Sequence, residues 1–361
     1  MRRVLLLTTP ILLLGGCDMV VLSPSGFVAA QQRDLLIGAT LLMLLIIIPV
    51  MGLTAFFAWR YSERRSSRYD PNWSHSANLE LIIWAAPLLI IICLSAMTWT
   101  ATHLLDPFRP LTHIGERRPI AANTAPLEIE AVALDWKWLF IYPQYGIATV
   151  NKAAAPVDRP IDFRITSQSV MNAFYVPALA GMIYAMPGME SHLHAVMNLP
   201  GSYEGFSANY SGAGFSGMRF KFEGLDQAAF DLWIAKARVD GQPTLGRAEY
   251  LELAKPSENV APGSWSDVDS DLFGRIVNRC VEEGRLCIDQ MMAMDAQGGT
   301  GVVGTLNTIP APGRQASAFG FAPFYVGGAC TVAESVAQYG PDTIALLDAR
   351  PASRKTADQT F

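Results

Sequence analysis

The sequence predicts a membrane-anchored α+β chain: an N-terminal two-helix transmembrane hairpin, then an all-β sandwich, then a short helical arm. Three observations predict it. Residues 35–59 and 81–102 are uncharged and apolar, and each is long enough to cross a bilayer, which takes about 20 residues of helix. From about 125 to 224, short stretches alternate apolar and polar residues between prolines and glycines, the pattern of half-buried strands joined by turns. Beyond that, Phe230, Trp233, Ile234 and Ala237 recur at the i, i+3, i+4, i+7 spacing of one helix face.

The chain opens with Met1-Arg2-Arg3, an apolar run Val4–Leu14, and Gly15-Gly16-Cys17. A basic start, a short apolar centre and small residues make a signal peptide over 1–16, too short to span. Leu14-Gly15-Gly16-Cys17 resembles a bacterial lipobox, with Cys17 the lipidated residue, rather than an ordinary cleavage site. Asp18 resembles a signal for retention in the inner membrane. Residues 17–34 then form an outer-face segment ahead of the first span. Pro49 and Pro87 lie inside the two spans, where neighbouring helices or water satisfy the freed backbone groups. The loop 60–80 carries Arg60, Arg64, Arg65 and Arg68, an arginine excess that places it in the cytoplasm. Both the N-terminus and everything after Thr102 therefore lie on the outer face. Trp59, Tyr61, Trp84 and Trp99 fall near the two interfaces, where aromatic belts form.

In the outer part, Leu127–Leu134 alternates at its start and Pro160–Thr166 alternates cleanly; Met182–Met186, His192–Leu199 and Met218–Phe222 follow. Pro143, Gly146, Pro187-Gly188 and Pro200-Gly201 punctuate them. Residues 125–224 thus read as one sandwich and 225–290 as the aromatic-rich helical arm. Ala248–Ala254 forms its second helix, stopping before Pro256. Residues 291–361, rich in Gly, Ala, Pro and Ser, read as a low-order tail.

Over 361 residues the chain carries a net charge of −5, which argues against nucleic acid as a partner. It has no phosphate-binding glycine loop, no HExxH, no C-x-x-C and no G-x-S-x-G. Cys93 lies within a span. Cys280, Cys287 and Cys330 face the oxidising side, where disulfides persist; three cysteines allow at most one internal pair, and Cys280–Cys287 is the pairing put forward. His192 and His194, two apart on a strand, share a face. That spacing can bind a metal, but no cysteine lies between Cys93 and Cys280 to join them, and the pair reads as solvated or hydrogen-bonded.

Gly205–Met218, read G-F-S-A-N-Y-S-G-A-G-F-S-G-M, resembles the copper loop of subunit II of the heme-copper respiratory oxidases. Copper-bearing members carry Cys-x-Glu-x-Cys-Gly-x-x-His-x-x-Met there. This chain has Ser207, Asn209, Ser211, Gly212, Phe215 and Met218 at the same spacing. Asn172, in Ser167–Phe174, stands where the family's first copper histidine does. Electron-transfer copper needs soft thiolate and imidazole donors; a hydroxyl, an amide carbonyl and a phenyl ring do not supply them. Met218 by itself cannot hold a dinuclear centre. The resemblance is therefore to the copper-free quinol-oxidase branch, and it implies a cupredoxin-like sandwich over 125–224 with no metal site.

Two further motifs resemble the family. Asp135-Trp136-Lys137-Trp138 matches its paired tryptophans, and without copper Trp136 is expected to be an aromatic contact to subunit I, not an electron relay. Asn78–Pro87 matches the pattern of a Glu four residues before a Trp and seven before a Pro. The resemblance makes Glu80 the carboxylate at the mouth of a proton pathway into subunit I, and the derived topology agrees. A carboxylate at a helix start is also favoured by the helix dipole alone.

The resemblance thus implies a non-redox subunit II of a proton-translocating ubiquinol oxidase in the bacterial inner membrane. No catalytic residue lies in this chain. No cofactor is bound by it; two hemes and one copper belong to subunit I. Its partners are subunits I and III, a small subunit IV, the bilayer and the ubiquinol pool, with no docking of cytochrome c. The rivals are a copper-binding cytochrome c oxidase subunit II and a stand-alone membrane lipoprotein acting in binding or assembly.

Overall fold

The computed structural model describes residues 19–62, 75–121 and 124–296. Helix α1 (Phe27–Arg60) and helix α2 (Ala77–Leu104) form the hairpin, and both are long and apolar enough to cross a membrane. The first helix starts eight residues before the apolar run. Gln31, Gln32, Arg33 and Asp34 end the membrane-compatible composition but not the helix. The added turns serve the outer domain: Val28 and Ala29 are buried, and Gly26 donates its N–H to Ala178 O at 2.8 Å. A Cβ at Gly26 would meet Leu179 O at 2.4 Å, so only glycine lets the chain pass so close to the sandwich. Residues 17–34 are therefore not simply a segment preceding the helix. Cys17 and the arginines at 64, 65 and 68 lie outside the described residues.

After a small antiparallel pair, β1 (His113–Gly115) with β2 (Arg118–Pro119), the chain builds two packed sheets. Strands β3 (Leu127–Leu134), β4 (Lys137–Tyr142), β5 (Ile147–Val150), β6 (Lys152–Pro156), β7 (Pro160–Ser167), β8 (Asn172–Tyr175), β9 (Ile183–Ala185), β10 (Ser191–Val196), β11 (Gly201–Ser207) and β12 (Arg219–Leu225) follow in order. The larger sheet runs β10-β7-β3-β4-β5 and the smaller β6-β12-β11-β8-β9. This is the expected cupredoxin-like sandwich.

Side-chain alternation explains the core. Leu127, Ile129, Ala131 and Ala133 of β3 point between the sheets, with Trp138 and Phe140 of β4, Phe163 of β7, Phe174 of β8 and Phe220 of β12. These rings meet edge-on or stacked, as at 5.3 Å between Trp138 and Phe174, a geometry that adds to simple burial. Val132, Leu134, Leu139 and Ile141 point the other way and are buried too. The apolar run at the end of β3 thus has a second layer to face.

The arm supplies that layer, and it is not only helical. Helix α3 (Gln227–Val239) is capped by Asp226, whose side chain accepts from Ala229 N, and it buries Phe230, Trp233, Ile234 and Ala237 as its spacing predicts. Strand β13 (Gln242–Leu245) and strand β14 (Gly263–Val268) then extend the larger sheet beyond β5 to seven strands. Their sequences show little period-2 patterning, because Trp265 and Leu245 are their only buried residues. β13 is the sheet edge, where its Pro243 costs no ladder bond. Helices α4 (Arg247–Leu253) and α5 (Leu272–Val277) place Tyr250, Leu272, Phe273 and Ile276 over the outer face of β3–β5. Lys137, buried in β4, donates to Lys255 O at 2.7 Å and to Ser257 Oγ at 2.5 Å. Burial holds its ammonium below the usual lysine range. Cys280 and Cys287 are disulfide-bonded, as put forward. Helix α6 (Ile288–Ala296) runs into the stretch read as low-order, and Cys330 lies outside the described residues.

Candidate functional site

Strands β8 and β11 lie side by side in the smaller sheet, with Ser207 opposite Phe174. That pairing brings Asn172 and Ser207 together, although they are 35 residues apart. Both are almost wholly buried. The Ser207 hydroxyl donates to Asn172 Oδ1 at 3.1 Å and lies 3.3 Å from Asn209 O. Asn172 Nδ2 donates to Val170 O, and Asn209 Nδ2 to Met171 O. Asn172, Ser207 and Asn209 therefore satisfy one another and the adjacent backbone.

The remaining positions close the loop. Met218 is buried, and its carbonyl accepts from Ser207 N. Phe215 meets Tyr210 edge-on at 5.6 Å. Ser211 Oγ is buried with no hydrogen-bond partner among the described residues, while Ser211 O accepts from Trp136 Nε1 at 3.1 Å. Trp136 takes a left-handed backbone, φ 66°, and lays its indole across the loop. A Cβ at Gly214 would stand 2.5 Å from the indole Cδ2, and Gly212, at φ 117°, occupies backbone space that side chains disfavour. Trp136 and the two glycines pack together and shape the loop.

Chemically, the cradle is neutral throughout. None of Asn172, Ser207, Asn209, Ser211, Phe215 and Met218 carries a group that ionises near neutral pH. The donors present do not fit a dinuclear copper, because the amide and hydroxyl that face each other are already hydrogen-bonded and no thiolate exists to bridge two metals. We therefore derive no redox step through this loop.

Glu80 lies in the first turn of α2, at the loop end of the hairpin, with Oε1 2.7 Å from His75 Nδ1. It is far from the cradle, which stands beyond the opposite end of the hairpin. The sequence reading brought out neither the buried charge on the outer face of the larger sheet nor its partners. Arg164 holds Glu190 through two nitrogens, at 2.6 and 3.0 Å, and Glu130 through a third, at 3.0 Å. Desolvation pushes the Glu130 carboxyl up to about 7, against the pull of Arg164. The Arg164 guanidinium is itself raised, first by its hydrogen bond to Glu190. The two shifts are compatible, because Glu190 takes up most of the guanidinium charge and leaves Glu130 under-compensated. The register of β3, β7 and β10 was the signal: Glu130, Arg164 and His192 are aligned across three strands.

Residues 143–224 match the family model described as cytochrome c oxidase subunit II, periplasmic domain, and residues 240–284 match the COX aromatic rich motif. The chain is 48% identical over 276 residues to the cytochrome bo(3) ubiquinol oxidase subunit 2 of Pseudomonas aeruginosa, covering 76% of this chain and 80% of that protein. It is 46% identical to the ubiquinol oxidase subunit 2 of Acetobacter aceti, over 74% of this chain and 84% of that protein. The quinol oxidase subunit 2 of Bacillus cereus is 40% identical, over 68% of this chain and 82% of its own length. With 40–48% identity to these quinol oxidase subunits over two thirds or more of its length, the chain belongs to the ubiquinol oxidase subunit 2 family.

Proposed function

We propose that this chain is the non-redox subunit II of a quinol oxidase complex that oxidises ubiquinol, reduces O₂ to water and moves protons outward across the bacterial inner membrane. The observation that carries this reading is the mutual hydrogen bonding of Asn172, Ser207 and Asn209 where copper ligands stand in copper-bearing relatives. A lipid-soluble donor reaches the catalytic subunit through the bilayer. No water-borne cytochrome c has to dock, and an external copper relay has no task.

The redox groups, two hemes and one copper, then belong to subunit I. This chain anchors and caps that subunit, with subunits III and IV completing the complex. Trp136, half-buried and fixed to the loop, forms part of the aromatic surface that meets subunit I. Lipid on Cys17 adds an outer-leaflet tether to a chain already anchored by two helices. Glu80, exposed at the cytoplasmic end of α2 beside His75, is the carboxylate at the mouth of the proton pathway.

Isolation through a tag on this chain tests the reading. The expected preparation contains hemes and one copper and turns over quinol but not cytochrome c. A heme-free preparation supports the stand-alone lipoprotein instead, and copper beyond that of subunit I supports a copper-bearing subunit. Glu80→Ala is expected to slow proton-coupled turnover in an assembled complex; unchanged turnover removes Glu80 from the pathway.

A further inference from the structure

His192 and His194 face a carboxylate that their spacing does not reveal. Strand β10 pairs with β7 so that His194 stands opposite Asp162 and His192 opposite Arg164. Asp162 Oδ1 lies 3.3 Å from His192 Nδ1 and 3.5 Å from His194 Nδ1. The three ligand atoms all fall within 4.8 Å of one another, the only such group of three among the described residues. Ligands about 2.0–2.1 Å from a tetrahedral zinc ion stand about 3.3 Å apart, so two of the three edges already have the length a bound ion requires.

A neighbouring carboxylate sets the tautomer. Glu190 Oε1 lies 3.1 Å from His192 Nε2, and Glu190 is itself held by the two-point bond from Arg164. An acceptor at Nε2 keeps the proton on that nitrogen and turns the Nδ1 lone pair toward Asp162. Metal-bound histidines are oriented in this way, by a carboxylate on the far ring nitrogen. A lone pair facing a carboxylate oxygen at 3.3 Å is repulsive unless a proton or a cation lies between them.

Position and burial favour the cation. The side chains of His194 and Asp162 are 16% and 17% exposed, and that of His192 is 36%. The cluster is thus walled on the protein side and open on one side for water as a fourth ligand. The charge of Arg164 does not oppose the ion strongly, because Glu190 takes it up through a two-point bond. The Pro107 carbonyl accepts from His194 N, and Phe108 packs near the His192 ring, which puts the cluster where the chain leaves the membrane hairpin.

We propose that Asp162, His192 and His194 form a site for a divalent cation of the zinc class, unrelated to the copper cradle and placed at the junction of hairpin and sandwich. The test uses the detergent-purified complex, stripped with a chelator, exposed to Zn²⁺ and desalted before elemental analysis. Wild type is expected to retain one more zinc per complex than Asp162→Asn or His192→Gln, and to gain thermal stability with Zn²⁺ but not with Mg²⁺. Equal zinc in wild type and variants overturns the proposal, as does an equal thermal response. Should Asp162→Asn fail to assemble, His192→Gln decides alone, because that more exposed ring can be replaced without opening a buried space.

Discussion

Ser207→Ala separates a packed remnant from a working site. The substitution removes the hydroxyl that donates to Asn172 Oδ1 at 3.1 Å and accepts, at 3.4 Å, from Ala173 N. Asn172 is 1% exposed, so its orphaned carbonyl oxygen has no route to bulk water. Leaving one buried acceptor unsatisfied costs about 1–3 kcal/mol, and the weak backbone contact adds little. We take about 2 kcal/mol, which for an outer domain of this size corresponds to a fall of about 4–8 °C in Tm. The assay is thermal unfolding of the purified complex, followed by heme-independent fluorescence, with quinol turnover measured in parallel below the transition. Lower Tm with unchanged turnover is the expected result. Reduced turnover at unchanged Tm would refute the reasoning, because it would mean that the cradle takes part in electron or proton movement. Asn172→Ala with Ser207→Ala closes a double-mutant cycle, and the coupling between two groups that bond each other is expected to be about 1 kcal/mol.

Three other outcomes follow from the same geometry. Gly214→Ala drives a methyl group into the Trp136 indole and toward Glu258 Cγ, at 2.5 and 2.7 Å, and is expected to cost about 1–3 kcal/mol with a shift in tryptophan emission; an unshifted spectrum counts against the indole as the loop's support. Glu130 holds a proton in the folded chain up to about pH 7 that the unfolded chain releases near its ordinary value. Its contribution is therefore fully present below the unfolded value and lost as pH rises through about 7; Glu130→Gln should flatten that decline and be more stable at pH 8 by about 2 kcal/mol, and parallel stability curves would contradict it. Restoring Asn172→His, Ser207→Cys, Asn209→Glu, Ser211→Cys and Phe215→His together should let the outer domain take up copper with strong visible absorption, whereas a colourless copper-free product would show that the loop no longer holds the required geometry.

Legibility in the sequence followed the physics of each signal. The hairpin was readable because length and lack of charge are sufficient for a span, yet the true start of α1 was hidden behind Gln31–Asp34, since helix formation does not end where membrane compatibility ends. The sandwich was readable from alternation at Pro160–Thr166. The strands of the arm were not, because a strand laid beside β5 needs only Trp265 and Leu245 to bury anything. The cradle positions could be read only through the resemblance to a family's copper loop. What replaced the ligands could not, because the Ser207–Asn172 bond joins residues from different strands and depends on register. The same holds for Asp162, which meets His194 only through the pairing of β7 with β10.

A cradle that owed its shape to copper would lose its fold with the metal, since metal binding to a structural site is also folding free energy. Here the supports are independent of any ion. Gly212 permits the turn, Gly214 admits the Trp136 ring, and the indole N–H ties the ring to Ser211 O. Asn172 and Ser207 then fill the polar positions with groups that bond each other instead of presenting lone pairs to an empty space. Wholly apolar replacements would also have filled the space, but they would have left Met171 O without the Asn209 side-chain donor it now has. The hydrogen bond between Asn172 and Ser207 ties strands β8 and β11 together beside the loop that carries Trp136. A loop shaped by its own hydrogen bonds and aromatic packing, with no ionisable donor, is what the proposed non-redox role requires.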